Sequence, residues 1–262
     1  MMKWICVNNV SLRYELAGPT GAPVVLLIHE MGGTLDSWDE CLPALQKEFR
    51  TLRYDQRGCG LSQKVSGALD IGEMIDDIAA LLDALTLTGP VSVVGSALGA
   101  GIAAAFAARH PKRVARLAIQ SLVTRSNPAT RPAMEARAKE VERTGMSVQA
   151  DASMNRAYPE VLRGNQERFE QYRTRWIAND PYSFAAINRM LLNMNLDPEL
   201  GNITAPTLSI GCKYDVMRPP ALVAEMSKLI PGARFVEAES GHFMHAQTPE
   251  LFTSMVVPFL KG

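Results

Sequence analysis

Along most of the chain, short apolar runs alternate with longer stretches in which apolar residues recur every three or four positions. This is the pattern of strands joined by crossover helices in a mainly parallel sheet. The spacing predicts strands at 4–7, 12–15, 24–28, 51–54, 91–94, 117–120, 207–210 and 234–237. The run Val24-Val25-Leu26-Leu27-Ile28 has no polar alternation, as expected of a central strand covered on both faces. Asn8-Asn9, between the first two runs, is a hairpin signal, so those strands should be antiparallel at an edge.

Helical periodicity covers 38–49, 71–85, 98–109, 222–229 and 249–260, and Pro249 suits a first-turn position. In the second of these, Ile71, Met74, Ile75, Ile78, Leu81, Leu82 and Leu85 form one stripe. Asp70, Glu73, Asp76, Asp77 and Asp83 fall largely outside it and read as a solvated face. From about 125 to 205 the strand pattern stops. Charged helical stretches at 134–143 and 166–176 replace it, with breaks at Pro159, Gly164 and Pro181. The expectation is a core formed by 1–124 and 206–262, interrupted by a helical cap at 125–205.

Composition narrows the function classes. With 47% hydrophobic and 21% charged residues in 262, the chain has ample core material and is not natively disordered. Lys+Arg and Asp+Glu both number 27, so no basic excess marks a nucleic-acid partner. Runs such as Val24–Ile28 are far shorter than the roughly 20 residues that span a bilayer. The start Met1-Met2-Lys3-Trp4 has no apolar leader segment, and the expected location is cytoplasmic. Cys6, Cys41, Cys59 and Cys212 lack CxxC spacing, so neither a metal site nor a disulfide framework is expected. Cofactors are also not expected, because 95–101 lacks the Lys-Ser/Thr ending of a P-loop and the acidic partner of a dinucleotide site. The expected partner is a small-molecule substrate; oligomeric state is not readable.

The chemistry concentrates at Val91-Ser92-Val93-Val94-Gly95-Ser96-Ala97-Leu98-Gly99-Ala100-Gly101. A buried strand here meets a small-residue turn and an Ala-rich helix, the layout of a nucleophile elbow in which Gly95 and Gly99 relieve a strained turn. His29-Glu30-Met31-Gly32-Gly33 follows the third strand and Tyr54-Asp55-Gln56-Arg57-Gly58 the fourth. Gly211-Cys212-Lys213-Tyr214-Asp215 follows the penultimate strand, and Ser240-Gly241-His242-Phe243 lies near the end. In this order the motifs resemble those of the α/β-hydrolase superfamily over nearly the whole chain. The resemblance implies an α/β-hydrolase fold, a mostly parallel eight-stranded sheet flanked by helices.

Aligning the glycines puts Ala97 where that family carries its nucleophile, and a methyl group cannot attack a carbonyl. Ser96 is no ready substitute, since as apex it would place Val94 and Leu98 where the turn needs small residues. The resemblance assigns the general base to His242 rather than His110 or His245, and the orienting acid to Asp215. The alternative acid position, in Ile119-Gln120-Ser121-Leu122-Val123, holds no carboxylate. Oxyanion stabilisation would come from the main-chain amides of Met31 and Leu98. Glu30 stands where relatives usually have glycine. It either bonds back into the scaffold, the favoured reading, or faces the pocket with its neighbour His29 as an acid–base or substrate-binding group. Asp55 and Arg57 read as loop braces, not catalysts.

The 125–205 stretch resembles the cap of 3-oxoadipate enol-lactonases, which implies a small carboxylated lactone or ester. Any of Arg125, Arg131, Arg156, Arg163, Arg168, Arg173, Arg175 and Arg189 could then hold a carboxylate. Three readings stay open: an inactivated serine hydrolase; an enzyme using His242 and Glu30 on a C–C, amide or imide substrate; and a ligand-binding receptor on a dead scaffold.

Overall fold

A computed structural model describes residues 2–65 and 67–262; Met1 and Ser66 lie outside it. Eight strands form one sheet: β1 (Lys3–Val7), β2 (Val10–Ala17), β3 (Val24–Ile28), β4 (Arg50–Tyr54), β5 (Val91–Ser96), β6 (Val114–Gln120), β7 (Thr207–Cys212) and β8 (Arg234–Ala238). Their spatial order is β1-β2-β4-β3-β5-β6-β7-β8. β2 pairs antiparallel with both β1 and β4, and every later pairing is parallel. β3, apolar throughout, and β5, buried throughout, lie centrally, with Ile28 opposite Gly95. The ends of both strands thus meet at one edge of the sheet, where the order reverses and α/β folds place their sites.

The helices are α1 (Leu42–Leu45), α2 (Ile71–Ala84), α3 (Leu98–Arg109), α4 (Arg131–Thr144), α5 (Ala150–Ala157), α6 (Gln166–Ile177), α7 (Pro181–Asn193), α8 (Pro220–Ser227), α9 (Met244–Gln247) and α10 (Pro249–Lys261). One apolar layer, with α2 and α3 against the sheet, includes Leu26, Ile28, Ile78 and Phe106. The opposite layer includes Val25, Leu27, Trp38 and Phe252. α4–α7 all fall between β6 and β7, where only an isolated bridge, Arg125 to Asn195, breaks the helical character of the described residues. A third cluster, around Tyr158, Tyr172, Trp176 and Phe184, reaches Met31 and Phe243 of the core loops.

Three local expectations fail for physical reasons. Residues 38–49 are not one helix: a 3-10 turn, Leu35–Cys41, starts from a capping box at Thr34, and Pro43 opens the short α1. Proline's missing N–H interrupts the helical ladder there. Pro181 is not a break but the first residue of α7, capped by the Asp180 carboxylate. Asp77 is not on a solvated face. It is buried, and both carboxylate oxygens pair with Arg57 while one also accepts from Asn8.

Candidate active site

β5 is buried throughout and ends where the chain must turn sharply into α3. Ala97 makes that turn at φ 50° and ψ −112°, a left-handed conformation costly for a residue with a Cβ. A Cβ on Gly95 would strike the Gly99 carbonyl, and one on Gly99 would strike the carbonyl oxygens of Ile28 and His29. The two glycines therefore let α3 lie against the end of β3. A first-turn N–H has no acceptor within its own helix and is free for an anionic oxygen. Ser96 points away from the apex: its fully buried hydroxyl donates to Gln120 Oε1 at 2.7 Å.

Asp215 lies in the turn after β7. Its Oδ1 accepts the amides of Met217 and Arg218 at 2.9 and 2.8 Å. Its Oδ2 accepts the Ser121 hydroxyl at 2.7 Å and faces His242 Nδ1 at 2.8 Å. Burial favours the neutral acid, but His242, Ser121 and the Arg218 amide outweigh it and hold the carboxyl below its ordinary range. His242 is only 7% exposed, and its carbonyl accepts from Gln120 Nε2 at 3.0 Å. Gln120 therefore spans the elbow and the histidine loop. With Nδ1 on Asp215, Nε2 remains as the imidazole's working nitrogen.

The loop after β3 is held from several sides. His29 Nε2 accepts the Gln56 amide at 3.1 Å, so Nδ1 carries the proton and donates to the Glu30 carbonyl at 2.8 Å. Burial lowers the pKa of this fully enclosed ring despite the nearby Glu30 and Asp55 carboxylates. Glu30 is also fully buried: Tyr172 and Ser37 donate to Oε1 at 2.6 and 3.0 Å, and His245 Nε2 meets Oε2 at 2.9 Å. Both side chains offered by the sequence as additional acid–base groups thus have their polar atoms engaged inside the scaffold. The helical insert grips the same loop, since Asn179 donates to the Gly32 carbonyl at 2.8 Å. At Gly32, φ is 82° and an added Cβ would lie 2.7 Å from the Trp176 ring, so glycine is required.

Asp55 and Arg57 brace loops: Asp55 accepts the amides of Leu35 and Leu61 and pairs with Arg13. Sequence reasoning missed Ser37, Gln120, Ser121 and Tyr172, and assigned His245 no role. Only His245, at a fixed distance from His242, carried any signal. Four of the insert's arginines are matched by acids: Arg125 by Asp197, Arg168 by Glu40, Arg173 by Asp151 and Arg189 by Glu142. Arg137, outside the anticipated set, is different. It stacks 5.2 Å from the Phe184 ring and 5.9 Å from Trp176, and its Nε has no acceptor among the described residues. Among the described residues no group of three or more His, Cys, Asp or Glu side chains could hold a metal ion. No described helix is long and apolar enough to cross a membrane.

Residues 23–249 match the model of the alpha/beta hydrolase fold family, and the chain belongs to that family. It is 30% identical over 269 residues, covering all of both proteins, to a Caulobacter vibrioides protein named "Putative carbamate hydrolase RutD". The crystal structure of the enol-lactonase from Burkholderia xenovorans LB400 superposes with a TM-score of 0.93 at 29% identity, over 99% of this chain and 100% of that one. A thermophilic esterase from Thermogutta terrifontis gives 0.91 at 27% identity, over 100% and 98%. The chain is a hydrolase by kinship.

Proposed function

We propose that this chain is the scaffold of a nucleophile–His–Asp hydrolase of small carboxylated lactones or esters, held inactive by Ala97 at the nucleophile position. The observation that carries the reading is the 2.8 Å pairing of His242 Nδ1 with Asp215 beside an elbow whose apex residue sits at φ 50°. That backbone strain has a use when a hydroxyl must be thrust toward substrate, and a methyl group has none. With serine at position 97, His242 Nε2 accepts the hydroxyl proton as Oγ attacks the carbonyl. The Met31 and Leu98 amides take the oxyanion, and His242 returns the proton to the leaving oxygen. Water then cleaves the acyl intermediate by the same relay.

Glu30 and His29 are read as scaffold, which disfavours a serine-free mechanism built on Glu30. The carboxylate preference is supported by Arg137 and Arg218, two guanidiniums whose pKa is lowered first of all by burial and which have no salt-bridge acid among the described residues. Residues 125–205 act as the cap that lines the substrate side. The kinship with a protein named as a carbamate hydrolase favours one second reading, a carbamate or amide substrate for the same relay.

The test is Ala97→Ser. Turnover of activated esters or small lactones should appear, and serine-directed phosphonates should label that variant but not the parent. Removing a nucleophile costs on the order of 10⁶ in turnover. A well-folded Ala97→Ser variant inert toward esters, lactones, amides and carbamates, yet still binding a small carboxylate, would replace this reading with a ligand-binding receptor.

A further inference from the structure

Beneath the site lies a chain of buried polar groups whose hydrogen-bond directions are determined. Asp215 is surrounded by donors, two amides on Oδ1 and two side chains on Oδ2, and an ionised carboxylate only accepts. Ser121, 2.7 Å from Oδ2, must therefore donate its single proton. Its oxygen can then accept from Gln120 Nε2, which also donates to the His242 carbonyl at 3.0 Å. This fixes the amide's orientation, leaving Oε1 to accept from Ser96 at 2.7 Å. His242 Nδ1 must also donate to Oδ2, so Nε2 holds the lone pair. Ser96, Gln120 and Ser121 are fully enclosed, and no partner choice is left to solvent. Ser121, moreover, holds φ at 52° without being glycine. A residue with a Cβ is costly there, and the conformation aims its hydroxyl at Asp215.

We propose that Gln120 and Ser121 are positioning residues of the His242–Asp215 pair, an inference that rests on the nucleophile–His–Asp reading for its catalytic consequence. Neither touches the reacting atoms. Ser121 shares Oδ2 with the imidazole, so it withdraws charge from the oxygen that holds Nδ1–H and tunes how strongly that proton is bound. Gln120 ties the His242 carbonyl to Ser96, the residue before the apex, and so sets the spacing between imidazole and elbow from below. The position at the end of β6, where the sequence offered no alternative acid, thus serves the acid after β7.

Two variants separate this role from simple support. Ser121→Gly accepts the positive φ without strain and removes the hydroxyl together with its Cβ. Gln120→Met keeps length and removes the amide donors. Proton NMR of the unmodified chain should show a low-field Nδ1–H resonance that disappears in His242→Gln. In Ser121→Gly it should move further downfield, because Asp215 then gives that oxygen's charge to the imidazole alone. In Gln120→Met it should exchange faster with solvent. Each change added to Ala97→Ser should lower kcat about tenfold while KM stays within about twofold. A resonance unmoved in both variants, or no low-field resonance in the parent, would overturn the proposal. So would unchanged kcat in an active Ala97→Ser background. The NMR arm needs no turnover, so an inert Ala97→Ser protein would sink the hydrolase reading and still leave the positioning role to be judged.

Discussion

Glu30 Oε2 lies 2.9 Å from His245 Nε2, and neither side chain has any exposed surface. Burial alone would push the Glu30 carboxyl up; His245 foremost, with His29 and Tyr172, reverses this and holds it at about 2. An ionised carboxylate is thus enclosed where the core loop, α6 and α9 meet, joining the loop that carries Met31 to the helical insert.

Glu30→Gln should therefore be a stability variant. A carboxyl whose pKa is depressed in the folded state stabilises it above the ordinary value, here 4.5, and that contribution disappears as pH falls through about 2. The variant should be less stable by about 1–3 kcal/mol at pH 7, since the amide keeps some hydrogen bonds but puts a donor where Tyr172, Ser37 or His245 meets a carboxylate oxygen. The gap should narrow between pH 4.5 and 2. Urea titrations at pH 7 and pH 3 measure this, and equal stability at pH 7 would contradict it. If Glu30 were an acid–base catalyst, the outcome would be the reverse: activity lost, stability kept.

At Ala97 the elbow's strain can be measured directly. Ala97→Gly removes a Cβ held at φ 50°. The relief, of order 1–3 kcal/mol, exceeds the roughly 0.5–1 kcal/mol that glycine adds to the disorder of the unfolded chain. A net gain near 1 kcal/mol should raise Tm by about 2–4 °C in calorimetry. Ala97→Ser keeps the Cβ and should leave Tm nearly unchanged. A lower Tm for the glycine variant would mean that the turn is unstrained.

What the sequence made legible follows from range. The central strands were readable because a covered parallel strand is largely apolar, as Val24–Ile28 is throughout and Val91–Val94 is but for Ser92, and the β1–β2 pair was readable from its Asn8-Asn9 turn. The elbow was readable because its glycines answer collisions within a few residues and with one neighbouring strand. Polar networks are different: Gln120 reaches Ser96 across 24 positions and Tyr172 reaches Glu30 across 142, and no local period encodes such partners. Asp77 failed for the same reason. Its place on α2 looked solvated until Arg57, 20 residues away, was seen to pair with it.

Glycines divide sharply by what surrounds them. Gly99→Ala would drive a methyl group into the carbonyl oxygens of Ile28 and His29, backbone atoms that cannot swing aside, so α3 must separate from β3. The loss should be of order 3 kcal/mol or more and should reach soluble yield. Gly89→Ala meets nothing within 4 Å, and its backbone carries no positive φ. It should change stability by less than about 0.5 kcal/mol. Similar yields and midpoints for the two variants in parallel urea titrations would refute the close approach at the elbow.

The last expectation concerns Arg137. Burial and the nearby Arg156 push its guanidinium down to about 10, and stacking on Phe184 and Trp176 holds its plane in place. The Trp176 ring also lies against Gly32 of the Met31 loop, so this cation stands one ring away from the candidate oxyanion site. Its Nη2 donates to Ser153 at 3.0 Å while Nε has no acceptor among the described residues, leaving donors for a fork-shaped anion. Arg189, by contrast, is saturated by Glu142 and Glu135. If Ala97 leaves the chain inactive, as proposed above, it should bind a carboxylated ester or lactone without consuming it, and calorimetry can then compare variants. Arg137→Met should weaken that ligand about tenfold and leave a neutral methyl-ester counterpart unaffected, about the effect of losing one charge-assisted pair. Arg189→Met should leave both affinities within about twofold. Equal losses for the charged and neutral ligands would mean that Arg137 only packs the insert, and the carboxylate preference would then have to rest on Arg218.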